Sequence, residues 1–288
     1  MILNENIKLN NGKEIPKMAL GTWFIEDDKV ADAVRAAVNI GYRHIDTAQA
    51  YGNERGVGEG VRTSGIPREE IFVTSKVAAE NKTYESAAQS IAETLKIMGL
   101  DYIDMMIIHS PQPWVEVNQS ENRYLSENRE VWRAMEDAVE AGKVRTIGVS
   151  NFNRADVENI LEVCRIRPAV NQVLCHISNT PLELIDYCNE QGIAVEAYSP
   201  VAHGATLKDP GVAQIAEKYH VSIPQLCIRY DWQLGTIVLP KTANPDHMKS
   251  NSEIDFVISD EDMDVLKHLD KMEDYGEFSV FPVYGGKL

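Results

Sequence analysis

The chain has 288 residues, enough for one large domain or two ordinary ones, and its 44% hydrophobic content is sufficient for a sizeable core. With 28 basic against 44 acidic side chains the formal charge is −16, which excludes a nucleic-acid or anionic-membrane surface as the main partner and requires a local basic site for any bound phosphate. Cys164, Cys175, Cys188 and Cys227 form no Cys-x-x-Cys pair and suit reduced thiols, no basic segment leads into an apolar one at the start, and no run approaches a membrane span, so a cytoplasmic protein is expected.

In chain order, Asn11-Gly12 stands between the short alternating arms of Ile7 to Ile15, the strongest short signal for a β-hairpin. From Met18 onward short apolar runs alternate with segments of helical period. The pairs are 18–22 with 28–40, 43–47 with 53–63, 71–77 with 84–98, 104–109 with 127–141, 146–151 with 154–165, 169–175 with 181–191, 193–199 with helices near 211–234, and a last run at 236–240. Strands that alternate with helices pair in parallel, and eight of them without a linker predict an α/β fold, a closed (β/α)8 TIM barrel over residues 1–288 as a single domain, with the hairpin capping the barrel bottom. No Gly-x-Gly-x-x-Gly opens a helix, which weighs against a doubly wound sheet. Gly41, Gly99, Gly142 and Gly192 each follow an amphipathic run, where a left-handed helix cap is expected.

Three successive apolar runs end in an ionisable residue: Asp46, Lys76 and His109. In a parallel barrel such positions share the mouth that carries active sites, and Tyr51, five residues beyond Asp46, can reach it. Singly, Lys76 reads as a surface charge, His109 as a hydrogen-bonded barrel histidine and Asp46 as a helix cap. Jointly they read as a catalytic constellation. A lysine ammonium beside a phenol is expected to lower its pKa towards working pH, while the carboxylate keeps the lysine charged and oriented, which makes Tyr51 a general acid.

Two long motifs extend this reading. Gly41-Tyr-Arg-His-Ile-Asp-Thr-Ala followed by Glu54-Arg-Gly-Val-Gly58, and Met135 leading to Arg145-Thr-Ile-Gly-Val-Ser-Asn-Phe152, resemble signatures of the aldo-keto reductase superfamily, in particular its bacterial members of the diketogluconate reductase type. The resemblance runs essentially end to end. It implies an NAD(P)H-dependent carbonyl reductase in which Asp46, Tyr51, Lys76 and His109 take the tetrad places and His109 orients the substrate carbonyl. It also implies that Ser150, Asn151 and Gln172 hold the cofactor carboxamide, that Tyr198 stacks on the nicotinamide, and that Ser199 and Pro200-Val-Ala-His-Gly204 run along the pyrophosphate. Thr22, Trp23, Val201, Lys241, Thr242, His247 and Asn251 complete the implied cofactor set. His247 stands where an arginine usually meets the 2′-phosphate, so NADP(H) is expected to be preferred with NAD(H) accepted.

The resemblance places Trp23, Phe24, Tyr51, His109 and Trp114 in the substrate pocket, with the tail from Phe278 a candidate cover. A small-molecule carbonyl substrate, a monomer, and no metal, nucleic-acid or membrane partner are expected. Small aldehydes, keto-sugars and dicarbonyls all fit. The competing reading is a redox-sensing module that keeps the fold and cofactor with little turnover. A metal-dependent barrel hydrolase would need a His/Asp ligand cluster, and only His109 sits at a strand end with an acid nearby.

Overall fold

The computed structural model describes residues 2–287. The chain opens with an antiparallel hairpin, β1 (Asn6–Lys8) and β2 (Glu14–Pro16), paired so that Ile7 faces Ile15. The turn is the Asn11-Gly12 expected from sequence: Gly12 sits at φ 82°, a value that suits glycine, and Leu9 N–H donates to Lys13 O at 2.8 Å.

Eight parallel strands follow: β3 (Leu20–Gly21), β4 (His44–Asp46), β5 (Phe72–Val77), β6 (Met105–Ile108), β7 (Ile147–Ser150), β8 (Val170–Leu174), β9 (Ala194–Tyr198) and β10 (Ile237–Leu239). They pair strictly in chain order from β3 to β10. The seam is joined by Ala19 N–H to Val238 O and Gly21 N–H to Pro240 O, both at 3.0 Å, and by Val238 N–H to Lys17 O at 2.9 Å. This is the α/β TIM-barrel fold expected from the alternation.

The helices between the strands are α1 (Asp27–Ile40), α2 (Glu54–Arg62), α3 (Tyr84–Met98), α4 (Leu125–Glu140), α5 (Arg154–Leu161), α6 (Leu182–Glu190), α7 (Pro210–Lys218) and α8 (Ile223–Gln233). The glycines expected to cap them adopt positive φ, Gly99 at 63° with its N–H on Lys96 O. The helices expected near 211–234 are α7 and α8, separated at Ser222, which starts the second: its hydroxyl accepts from Gln225 N–H in a capping box. Helix α5 stops at Leu161 rather than 165. There the Glu136 carboxylate accepts the backbone N–H groups of Arg165 and Ile166, at 2.6 and 2.8 Å, and draws the chain off the helical path. Helices α9 (Pro245–Ser252) and α10 (Asp260–Lys267), and the tail turns at Gly276–Val280 and Pro282–Tyr284, were not expected from sequence.

Side chains alternate across each strand, so every strand offers one set to the barrel interior and one to the helices. Phe72, Met105, Ile107, Ala169, Val170, Ile237 and Leu239 fill the interior with Leu9 and Ile15 from the hairpin, which thereby seals the N-terminal end. The hairpin tip is tied down by Asn10 Nδ2 on Pro168 O at 2.7 Å and Asn11 Nδ2 on Thr146 Oγ1 at 3.1 Å. Val73, Met106, Ile108, Val149, Val173, Val195 and Val238 point the other way into the shell of helices. The same alternation carried one step further up the strands turns Asp46, Lys76, Gln172 and Glu196 inward, above the apolar layer.

Candidate active site

The strand ends form one rim. Asp46 ends β4, His109 follows β6, Ser150 ends β7, Tyr198 ends β9, and Lys241 lies just past β10. Tyr51 comes from the β4–α2 loop, in a short turn (Gln49–Tyr51) that Gly52, at φ 66°, allows to reverse. That loop is fixed by its own polar side chains. Asn53 Nδ2 donates to Thr22 O and Ile25 O, both at 2.9 Å, Thr47 Oγ1 donates to Asn53 Oδ1 at 2.7 Å, and Gln49 Oε1 accepts Ala78 N–H at 2.8 Å.

The four residues expected together are together. Lys76 Nζ lies 2.7 Å from Asp46 Oδ2 and 2.8 Å from Thr47 O, and sits 4.9 Å from the centre of the Tyr51 ring. The Tyr51 and His109 rings are 5.6 Å apart and nearly perpendicular. Burial pulls the Lys76 ammonium down, but Asp46 and Tyr51 outweigh it and hold the group above its ordinary value. His109 is held well below its usual pKa, first by burial and then by the Lys76 charge, so it is neutral near pH 7. Its buried Nδ1 has no hydrogen-bond partner among the described residues.

Tyr51 corrects one expectation. Its pKa lies above the ordinary phenol value, because burial pushes it up more strongly than Lys76 pulls it down, with Asp46 adding to the upward push. The phenol therefore carries its proton at neutral pH, and Lys76 limits how far it rises.

Above these residues opens a cavity of about 470 Å³. Of the residues assigned by resemblance, Thr22, Trp23, Phe24, Asp46, Tyr51, His109, Trp114, Ser150, Asn151, Gln172, Tyr198, Ser199, Val201 and Lys241 line it. Lys76 sits behind Asp46 and does not. Thr242, His247 and Asn251 also lie outside the lining: Thr242 Oγ1 accepts Asn244 N–H at 3.1 Å, and His247 and Asn251 ride on α9, exposed and buried respectively.

One wall is polar and tightly cross-linked. Ser150 Oγ donates to Gln172 O at 2.8 Å, Asn151 Nδ2 to His109 O at 3.0 Å, and Tyr198 OH to Asn151 Oδ1 at 2.7 Å. Gln172 Nε2 donates both to Asp46 Oδ1, at 2.9 Å, and to Glu196 Oε2, at 2.8 Å, which leaves its carbonyl oxygen for the cavity. Four non-glycine residues of the lining, Phe24, Asn151, Ser199 and His203, have φ between 51° and 61°. Such backbones cost about 1–3 kcal/mol each and persist where surrounding bonds fix them. Lys241 is lowered by burial alone, with no carboxylate among the described residues facing it.

The opposite wall is aromatic. Trp23 packs on Phe24 (4.5 Å) and edge-on against Phe281 (5.2 Å), and Trp114 stands edge-on to His109 at 5.0 Å. The tail covers this wall, as its position after Phe278 suggested. Phe278 stacks on His203 at 3.9 Å, and the Tyr284 hydroxyl lies 2.7 Å from both Ser199 Oγ and His203 Nε2. Glu196 was not foreseen, and Phe281, Pro282 and Val283 line the cavity as part of the tail expected to cover it. The signal for Glu196 was present: a carboxylate in the middle of an apolar strand needs an interior partner. Among the described residues no group of three or more His, Cys, Asp or Glu side chains could hold a metal ion. No helix among them is long and apolar enough to cross a membrane.

Comparison with known proteins agrees with this fold. The model of the aldo/keto reductase family matches residues 17–271. A glyoxal reductase of Bacillus subtilis is 41% identical over 276 residues, covering 95% of this chain and 96% of that protein. The crystal structure of an aldo/keto reductase from Brucella melitensis superposes with a TM-score of 0.85 at 39% identity, over 92% of this chain and 99% of the other. An aldo-keto reductase of Bombyx mori, solved in complex with NADP, gives 0.84 at 34% identity, over 97% and 98%. The chain belongs to the aldo/keto reductase family and is an oxidoreductase.

Proposed function

We propose that the protein, as a single domain of residues 1–288, reduces a small uncharged aldehyde or ketone, with a glyoxal-type dicarbonyl as the leading class, using NADP(H) in preference to NAD(H). The observation that carries this reading is the placing of Tyr51, with Lys76 and Asp46 behind it and neutral His109 beside it, at the floor of a half-aromatic cavity.

The residues present fit a nicotinamide dinucleotide. Ser150, Asn151 and the free carbonyl of Gln172 offer complementary groups to a carboxamide, the Tyr198 ring borders the same space, and Lys241 is a cation without a carboxylate partner in a chain of charge −16. Thr22, Trp23, Ser199 and Val201 line the remaining path, while Thr242, His247 and Asn251 would act further out. When bound, the reduced nicotinamide supplies the hydride.

The protein supplies the rest. Neutral His109 donates a hydrogen bond that holds the carbonyl oxygen towards Tyr51. The Tyr51 hydroxyl gives its proton to that oxygen as negative charge develops there, and the Lys76 ammonium stabilises the phenolate left behind. Asp46 keeps Lys76 charged and in place. Trp23, Phe24 and Trp114, with the tail, present apolar surface and exclude water, and among the described residues this substrate wall carries no cation to pair with an anionic substrate. The B. subtilis relative, named for glyoxal, supports the substrate class. A monomer in the cytoplasm is the setting that fits a compact barrel with unpaired cysteines.

Steady-state assay of NADPH oxidation against a panel of dicarbonyls, aldehydes and keto-sugars tests this. The proposal expects many turnovers with uncharged carbonyls. Oxidation that stops near one equivalent per protein would instead identify a redox-sensing module.

A further inference from the structure

Glu196 is wholly enclosed in the barrel, two residues below Tyr198 on β9 and facing inward with it. One oxygen, Oε2, accepts from Gln172 Nε2 at 2.8 Å, and the other, Oε1, has no partner among the described residues. The same Gln172 nitrogen donates to Asp46 Oδ1 at 2.9 Å, so a single amide bridges two carboxyl groups. Both of its N–H groups are thereby committed, and its orientation is set by acceptors on either side.

Such an amide can hold one carboxylate and one carboxylic acid without conflict. It cannot hold two carboxylates without their mutual repulsion in a dry interior. Asp46 is the one compensated by a cation, since Lys76 is bonded to it directly. The charged groups that face Glu196 are Asp46 from β4 and Lys76 from β5. Beside it β8 offers the uncharged Gln172, and β10 offers only Ile237, Val238 and Leu239. His44, below Asp46, is turned to Thr74 Oγ1.

We propose that Glu196 is a positioning residue of the reductase site, holding the Gln172 amide in its uncharged form, and that its ionisation sets the alkaline limit of carbonyl reduction. Burial, with Asp46 second, pushes its carboxyl up to about 8, so the group loses its proton at mildly alkaline pH. The added charge then opposes the Lys76 field at Tyr51 and repels Asp46 across Gln172, whose side chain lines the cavity. This inference rests on the reductase reading, with Tyr51 as the acid.

The test uses the full-length protein with NADPH and glyoxal as probe. Glu196→Ala, which removes the acceptor, lowers kcat/KM about tenfold at about pH 6, and Glu196→Gln, which keeps an acceptor but cannot ionise, restores it to within about threefold. At about pH 9 wild-type activity has fallen, and Glu196→Gln exceeds it roughly tenfold, as expected for removal of one ionisation near 8. Infrared difference spectra give a readout without turnover: a protonated-carboxyl band that vanishes as pH rises through that range and is missing in Glu196→Gln. An unmoved alkaline limb in Glu196→Gln, or no such band, would overturn the role of Glu196 alone. Absence of wild-type turnover with every carbonyl tested would overturn the reductase reading, and this role with it.

Discussion

At the scale of single residues, Lys76 carries the electrostatics of the proposed reaction, because its ammonium is enclosed and is shared between Asp46, Thr47 O and the Tyr51 ring. Lys76→Met keeps much of the volume but leaves the Asp46 carboxylate buried without its cation, a change that costs about 3–5 kcal/mol. It also removes the one influence that pulls the Tyr51 pKa down. The variant should therefore unfold at lower urea, lose most of its activity, and show the Tyr51-dependent limb of alcohol oxidation shifted to higher pH; a limb in its wild-type place would mean that something other than Lys76 tunes the phenol. Glu196 makes a separate prediction about stability. Its folded pKa lies above the unfolded value, so its preference for the proton stabilises the fold fully below the ordinary value of 4.5 and is lost progressively as pH rises from there to about 8. Relative to Glu196→Gln, the wild-type melting temperature should fall across that interval, and a constant difference would show that Glu196 does not titrate there. Asp46, Lys76 and His109 were legible because each ends an apolar run. The direction of the Tyr51 shift was not, since burial is a property of the closed barrel and leaves no mark in a linear sequence.

Among the elements, α2 shows most clearly how packing overrides propensity. Its sequence Glu54-Arg-Gly-Val-Gly-Glu-Gly-Val-Arg62 contains three glycines, each unfavourable in an isolated helix by about 1 kcal/mol. The structure explains them by close approach. A Cβ on Gly58 would lie 2.1 Å from Met98 O at the end of α3, and one on Gly60 would lie 2.6 Å from Val34 Cβ of α1. Gly58→Ala, which propensity alone predicts to stabilise, should instead destabilise by roughly 1–3 kcal/mol as α2 is pushed from α3. Chemical denaturation decides the sign, and a stabilised variant would refute the close-packing account. The expectation of a helix over 53–63 succeeded because Val57 and Val61 mark a buried face in spite of the glycines. The expectation of more than one helix near 211–234 succeeded, and the break falls at Ser222, whose side-chain cap starts α8 although the apolar period runs across it. Helices α9 and α10 were not expected, for a different reason. Each has eight residues with only two of them buried, too short a stripe to show a period.

Over the whole molecule, eight strand and helix alternations defined the barrel, whereas the depth of its polar layer and the fit of the tail depend on contacts between distant segments. Charge acts at this scale too. In a protein of net charge −16, an added phosphate is repelled on average, so the proposed preference for NADPH needs a local cation, and Lys241 is the lysine or arginine that lines the cavity among the described residues. Lys241→Ala should narrow the kcat/KM advantage of NADPH over NADH. His247→Arg, by adding a fixed bidentate charge, should widen it by up to about 1–2 kcal/mol, roughly ten- to thirtyfold. Ratios unchanged in both variants would place the 2′-phosphate elsewhere. The account as a whole rests on Tyr51 as the proton donor, and the most direct measurement of it pairs turnover with cofactor binding in Tyr51→Phe. Carbonyl reduction should fall by about 10² or more while the dissociation constant for NADPH, read by fluorescence titration, stays within about twofold of wild type. Turnover near the wild-type rate in that variant would contradict the assignment.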